Sequence, residues 1–137
     1  MDNLSHPIIL VDGSWSPIDN NAGSAWVLSA SPHRGGALFS KVNSAFQAEA
    51  VALLHALIWA RHLGFCDLIV YTDSSLLISA LQQRTTSNDS IWVLQDILHL
   101  GCHFNTCKIL KVSRLLIQPA HDQAHDCRYS SLSFQSL

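Results

Sequence analysis

Apolar residues fall into short runs broken at two different periods. "HPIILVDGSW" is a β-rich run that closes on a Gly-containing turn, and "AGSAWVLSAS" and "GGALFSKV" read as two further strands parted by Pro32, Gly35 and Gly36. Three successive strands on short links predict an antiparallel meander. "NSAFQAEAVALLHALIWARHLG" then opens on a Ser44-x-x-Gln47 capping box, closes on Gly64, and is apolar nearly all round. That pattern predicts a buried helix lying on the sheet. "DLIVYTD" is too uniformly apolar for a strand with one wet face, and predicts a central, parallel position. A second helix over residues 74–83 follows, then a polar loop "RTTSNDS" and a third helix with Ile91, Leu94, Ile97 and Leu98 on helical spacing. "CKILKVS" is strand-like, and Pro119 begins a last helix. The order βββαβααβα is that of an α/β domain with a mixed sheet. There are no internal repeats; we expect one domain over residues 1–129 and a disordered tail over 130–137.

Composition narrows the picture. The 137 residues are enough for one domain with a real core, and 48% are hydrophobic while only 13% are charged. Soluble domains carry about 25% charged residues, so much of this chain must be buried or docked on a partner. A net charge of −2 gives no broad positive field, and any nucleic-acid partner has to be held by a local site. "MDNLSHPIIL" lacks the basic and apolar regions of a secretory signal, and Glu49, His55 and Arg61 interrupt the longest candidate span. These features predict an intracellular protein, in nucleus or cytoplasm, with no membrane partner and with its four cysteines reduced.

The chemistry lies in three acids. Asp12 ends the first strand in "LVDGS", Glu49 sits in the second turn of the long helix in "QAEA", and Asp73 ends the fourth strand in "YTDS". Each alone has an ordinary role: a turn residue before Gly13, a helix-dipole charge, and a helix N-cap. Their joint placement changes the balance. If strands one and four are parallel neighbours joined by a right-handed crossover, Asp12 and Asp73 share one sheet edge. Alanines on both sides of Glu49 let its helix lie close to that edge. Clustered carboxylates repel unless a cation joins them. Oxygen ligands of this kind suit Mg²⁺, and a pair of such ions about 3.5–4 Å apart can activate water and stabilise the leaving oxygen of an in-line displacement.

"VDGSW", "AGSAWVLS", "FQAEAVAL" and "IVYTDS", in that order and spacing, resemble the ribonuclease H type-1 domain, in particular the retroelement-derived copies abundant in plant genomes. The likeness runs from about Ile8 to Ala124 and includes "SIWVLQDI" and "KILKVSR". It implies a ribonuclease H-like fold, with a five-stranded mixed sheet of order 3-2-1-4-5 flanked by helices. It also implies endonucleolytic hydrolysis of the RNA strand of RNA–DNA hybrids with two Mg²⁺ ions, for which Mn²⁺ can substitute. Asp12, Glu49 and Asp73 match the family's three central metal ligands, while Gly13, Ser14 and Ser74 stand where contacts to the RNA 2′-hydroxyl are expected.

The C-terminal motif departs from the family. Its pattern is Asn-x-x-Ala-Asp-x-Leu-Ala after an Arg, whereas "RLLIQPAHDQAHD" puts Ile117 at the Asn, His121 at the Asp and Gln123 at the Leu. The fourth ligand is then His121 or missing; Ala-His is common there in plant-type copies, which keeps His121 as the expected fourth catalytic residue. Asp122, one position on, would point about 100° away. Ile117 and Gln123 predict different packing of the last helix. "RTTSNDS" replaces the basic protrusion with which some members grip hybrid, which predicts weak, salt-sensitive binding. The alternative is an inherited fold of this kind with little turnover, one that binds nucleic acid or stabilises a larger polyprotein.

Cys102, Cys107, His121 and His125 approximate zinc-finger spacing, but Pro119 would break the helix that carries the histidines, and Lys111 stands where a finger has an aromatic. No zinc is expected. Among the tryptophans, Trp26 and Trp59 read as core, and only Trp15 lies near the acids.

Overall fold

A computed structural model describes the chain over residues 7–29, 34–39, 41–83, 91–128 and 134–136. The predicted loop at 84–90 lies outside the described residues. In chain order the elements are β1 (Ile8–Trp15), β2 (Ala22–Leu28), β3 (Arg34–Phe39), α1 (Ala45–His62), β4 (Asp67–Thr72), α2 (Ser75–Gln83), α3 (Ile91–Gly101), β5 (Thr106–Lys111), a 3-10 turn (Arg114–Ile117), α4 (Gln118–Arg128) and β6 (Phe134–Ser136).

The five expected strands stand in the expected order, and β6 adds a sixth beside β3. Residues 134–136 belong to the segment expected to be disordered. Instead they pair antiparallel with Arg34, Gly35 and Gly36, covering main-chain groups that β3 would otherwise leave open at a sheet edge. The meander β1–β2–β3 is antiparallel, and β4 and β5 are parallel to β1.

Two layers of helix cover the sheet. Ile9 and Val11 of β1 point to one face, where they pack with Leu53 and Leu57 of α1, Leu68 and Val70 of β4, Leu77 of α2, and Val93 and Ile97 of α3. Leu10 points to the other face and packs with Ile117 and Ala120. Thus α1 lies between sheet and α3, as its nearly uniform apolarity predicts, with Ala50, Ala52, Ala56 and Ala60 fully buried.

The ends of α1 follow their local chemistry. Ser44 Oγ accepts the Gln47 N–H at 3.0 Å, while Gln47 Oε1 accepts the N–H of Asn43 at 2.8 Å, one residue earlier than in a standard capping box. At the other end Gly64 adopts φ +88°, its N–H donates to Arg61 O, and the Phe65 N–H donates to Ala60 O. Those bonds form a Schellman closure, and a side chain at Gly64 would strain it.

The departures at Ile117 and Gln123 are what dock α4. Ile117 is fully buried against Leu10, and the Gln123 side-chain amide donates to the carbonyl of Gly35 on β3. Gly35 in turn faces Trp26 across the β2–β3 pair, where a Cβ would overlap the indole. Trp26 and Trp59 are both core residues, as expected. Among the described residues no helix is long and apolar enough to cross a membrane.

Candidate active site

β1 pairs with β4 only over Ile8–Leu10 against Ile69–Tyr71, but continues to pair with β2 as far as Trp15. Asp12 therefore does not end its strand, and Gly13 is not in a turn. Both lie where β1 has run beyond its parallel neighbour, and continuing the β1–β4 register sets Asp12 level with Asp73, the residue after β4 ends. The parallel arrangement thus brings the two aspartates together, as the crossover rule predicts.

Gly13 explains how Glu49 arrives. A Cβ at Gly13 would stand 2.5 Å from the Ala48 carbonyl oxygen and 2.9 Å from the Glu49 nitrogen, so α1 rests on bare backbone there. The Gly13 N–H donates to Glu49 Oε1 and fixes the carboxyl at the edge of the sheet. Asp73 was expected to cap α2 as well as to serve the site. Ser74 takes the cap instead, its Oγ accepting the Leu77 N–H at 3.2 Å, which leaves the Asp73 carboxylate for other partners. One oxygen from each of Asp12, Glu49 and Asp73 lies within 4.8 Å of the others.

Sequence reasoning gave the side chain of Arg114 no role. It reaches back across the fold to donate from Nε to Asp73 Oδ2 at 2.8 Å, with Nη1 3.5 Å from His121 Nε2. His121 Nδ1 in turn donates to Asp12 Oδ2 at 2.7 Å, so the imidazole does join the cluster. Asp122 turns away and accepts from the side chain of Gln118 at 2.8 Å.

A cleft of about 320 Å³ opens over Asp12, Glu49, Asp73 and Arg114, lined also by Gly13, Phe46, Ser74 and Leu76. Ser14 is half-buried on β1 and does not line it. Trp15 donates from its indole to Val42 O at 2.9 Å and packs with Ala22, Val42 and Ala48, outside the cleft lining. Cys102 and Cys107 line an apolar pocket between α2, α3 and β5, whereas His121 and His125 line a separate one on α4. The structure does not bring those four together.

Burial raises the pKa of Asp12, and burial together with the neighbouring Asp12 charge raises Glu49 to about 9. In the metal-free pair Glu49 therefore keeps its proton at neutral pH. A hard divalent cation would replace that proton, and an all-oxygen, anionic donor set is what Mg²⁺ takes. The residues fit such an ion.

The raised Glu49 has a measurable consequence. An unfolded Glu releases its proton near 4.5, but the folded one keeps it to about 9, so the folded state binds the extra proton and stability falls as pH rises through that interval. Burial lowers the His55 pKa, so His55 acts in the opposite sense, but only below its ordinary value of 6.5. Burial pushes the Cys107 thiol up as well, to about 11. Melting curves in chelator should therefore drop between about pH 7 and about pH 9, and Mg²⁺ should flatten the drop; a flat profile without metal would contradict the assignment.

The chain matches the reverse transcriptase-like family over residues 10–127. No curated protein matches it in sequence. Ribonuclease H1 from the halophilic archaeon Halobacterium salinarum NRC-1 superimposes with a TM-score of 0.80 at 26% identity, over 90% of this chain and 97% of that one. LC11-RNase H1, isolated from compost by a metagenomic approach and solved with an RNA/DNA hybrid, gives 0.77 at 17% identity over 90% and 96%. A foamy viral protease-reverse transcriptase solved with double-stranded DNA gives 0.74 at 16% identity over 92% and 96%. With the five expected strands in the expected order and its carboxylates at the β1–β4 edge, the chain belongs to the reverse transcriptase-like family and has the ribonuclease H fold.

Proposed function

We propose that the chain is a ribonuclease H-like endonuclease that hydrolyses the RNA strand of RNA–DNA hybrids, with two Mg²⁺ ions held by Asp12, Glu49 and Asp73. The observation that carries this is the convergence of three carboxylate oxygens within 4.8 Å in a chain of this family. When bound, the ions supply a water activated at neutral pH and stabilisation of the departing oxygen. Mn²⁺, which also takes oxygen ligands, can substitute.

The chain's own residues do the rest. Gly13 holds the Glu49 carboxyl through its N–H, so that once Glu49 gives up its proton the charge points into the cleft. His121 stands at the family's fourth-carboxylate position and donates from Nδ1 to Asp12, leaving Nε2 to take a proton from the attacking water or return one to the leaving oxygen. Gly13 and Ser74 border the cleft and are the candidates for reading a 2′-hydroxyl. With a net charge of −2, grip on the polyanion comes from this local site, and a larger polyprotein would be one source of additional affinity.

A hybrid carrying label on the RNA strand, compared with the same RNA single-stranded and with duplex DNA, tests the substrate class. We expect only hybrid RNA to be cut in Mg²⁺, leaving 5′-phosphate and 3′-hydroxyl ends and slowing steeply with added salt. Equal cutting of free RNA would remove the hybrid assignment, and no cutting by a folded protein would favour a binding or structural relic of the family.

A further inference from the structure

Among the described residues that line the cleft, Arg114 is the only cation. Its position is specific: Nε on Asp73, Nη1 toward His121 Nε2, and His121 Nδ1 on Asp12. An imidazole and a guanidinium thus bridge the two aspartates that the sheet register sets level. The Asp73 side chain is only 11% exposed while that of Arg114 is 56% exposed, so the guanidinium meets the carboxylate from the solvent side. Leu115 and Leu116, which follow it in the 3-10 turn, are exposed as well. Arg114 can therefore leave Asp73 without disturbing the core.

A guanidinium and a divalent cation cannot share one carboxylate without repelling each other. Solvent on one side of the site weakens that repulsion without abolishing it. We propose that Arg114 is a positioning residue that holds Asp73 in the metal-free chain and competes with the divalent cation for it, so that metal binding displaces the guanidinium. The proposal rests on the reading of this cluster as a metal centre and deepens it. Before metal arrives, Arg114 offsets part of the repulsion among the carboxylates and keeps Asp73 in place. When it leaves, His121 loses the Nη1 donor and its Nε2 becomes free to accept.

Two readouts test this without reference to cleavage. In calorimetric titrations with Mg²⁺, the neutral variant Arg114→Met should bind about tenfold tighter than the wild type, matching removal of a competing charge. Unchanged or weaker binding by a variant that melts like the wild type in chelator would overturn the proposal, as would the absence of Mg²⁺ binding by either protein. In the wild type, the Arg114 Nε–H signal in a nitrogen-15 spectrum should be observable in chelator and should shift or broaden as Mg²⁺ is added. A signal indifferent to Mg²⁺ at concentrations that saturate the calorimetric site would overturn it, and this measurement needs no variant. A wild type that binds Mg²⁺ but cuts nothing would defeat the nuclease reading while leaving the competition to be decided by the affinity ratio.

Discussion

Glu49→Gln removes cleavage and makes the metal-free protein more resistant to heat above neutral pH. The two effects share one cause. Without metal, Glu49 holds a proton to about 9, accepts the Gly13 N–H and faces Asp12. A glutamine reproduces that neutral state: its carbonyl accepts from Gly13, its amide donates to Asp12, and it has no proton to lose. The destabilisation between about pH 7 and about pH 9 should then vanish from melting curves taken in chelator. With metal the exchange costs an anionic ligand, and since a bound ion supplies several kcal/mol of transition-state stabilisation, we expect hybrid cleavage to fall by at least about a hundredfold. A variant that lost activity together with metal-free stability would mean that Glu49 serves the fold.

Gly13→Val should have the largest effect on the fold itself. Its Cβ would meet the Ala48 carbonyl at 2.5 Å, and because that contact is backbone, no side chain can swing aside. Either α1 lifts from β1 or the strand shifts. Since α1 carries Leu53 and Leu57 into the core, lifting it loosens packing along the whole helix. Overpacking of this kind costs roughly 1–3 kcal/mol, and about 4 °C of melting temperature per kcal/mol is expected for a chain of this size. Gly13→Ala brings the same first atom and should show a smaller form of the defect, with cleavage reduced further than stability because Glu49 loses its alignment. An alanine variant with wild-type melting and wild-type cleavage would show that α1 does not rest on that glycine.

Much of the site was legible because it depends on positions that periodicity can locate. Asp12 and Asp73 follow apolar strand runs, Glu49 lies one turn into a helix whose cap is written in Ser44, and the crossover rule brings the strand ends together. The local roles of neighbouring residues were harder to read. "TDSS" offers several capping side chains in a row, and only the structure shows that Ser74 is the one used. Gly13 reads equally well as a turn or as a strand residue against which another backbone presses, and the second holds. β6 was missed because a three-residue strand has no periodicity of its own and is defined by the open edge of β3.

Arg114 was the least visible. It is half-exposed, and its partner lies 41 residues away in sequence, so spacing carries no trace of the bond. Ile117 and Gln123 looked like losses from a motif, yet one fills the space between α4 and β1 and the other ties α4 to β3. The helix end that differs most from the family pattern is thus the one that sets His121 on Asp12.

Cleavage of an RNA-labelled hybrid by the wild type beside Asp73→Asn, each with Mg²⁺ and with chelator, tests the central claim most directly. Asp73 is the right position because Ser74, and not Asp73, caps α2, so the amide variant should fold normally. Cutting by the wild type in Mg²⁺ alone, lost by about a hundredfold or more in the variant, is the result this account predicts. Equal cutting by both proteins, cutting that survives the chelator, or no cutting by a folded wild type would contradict it.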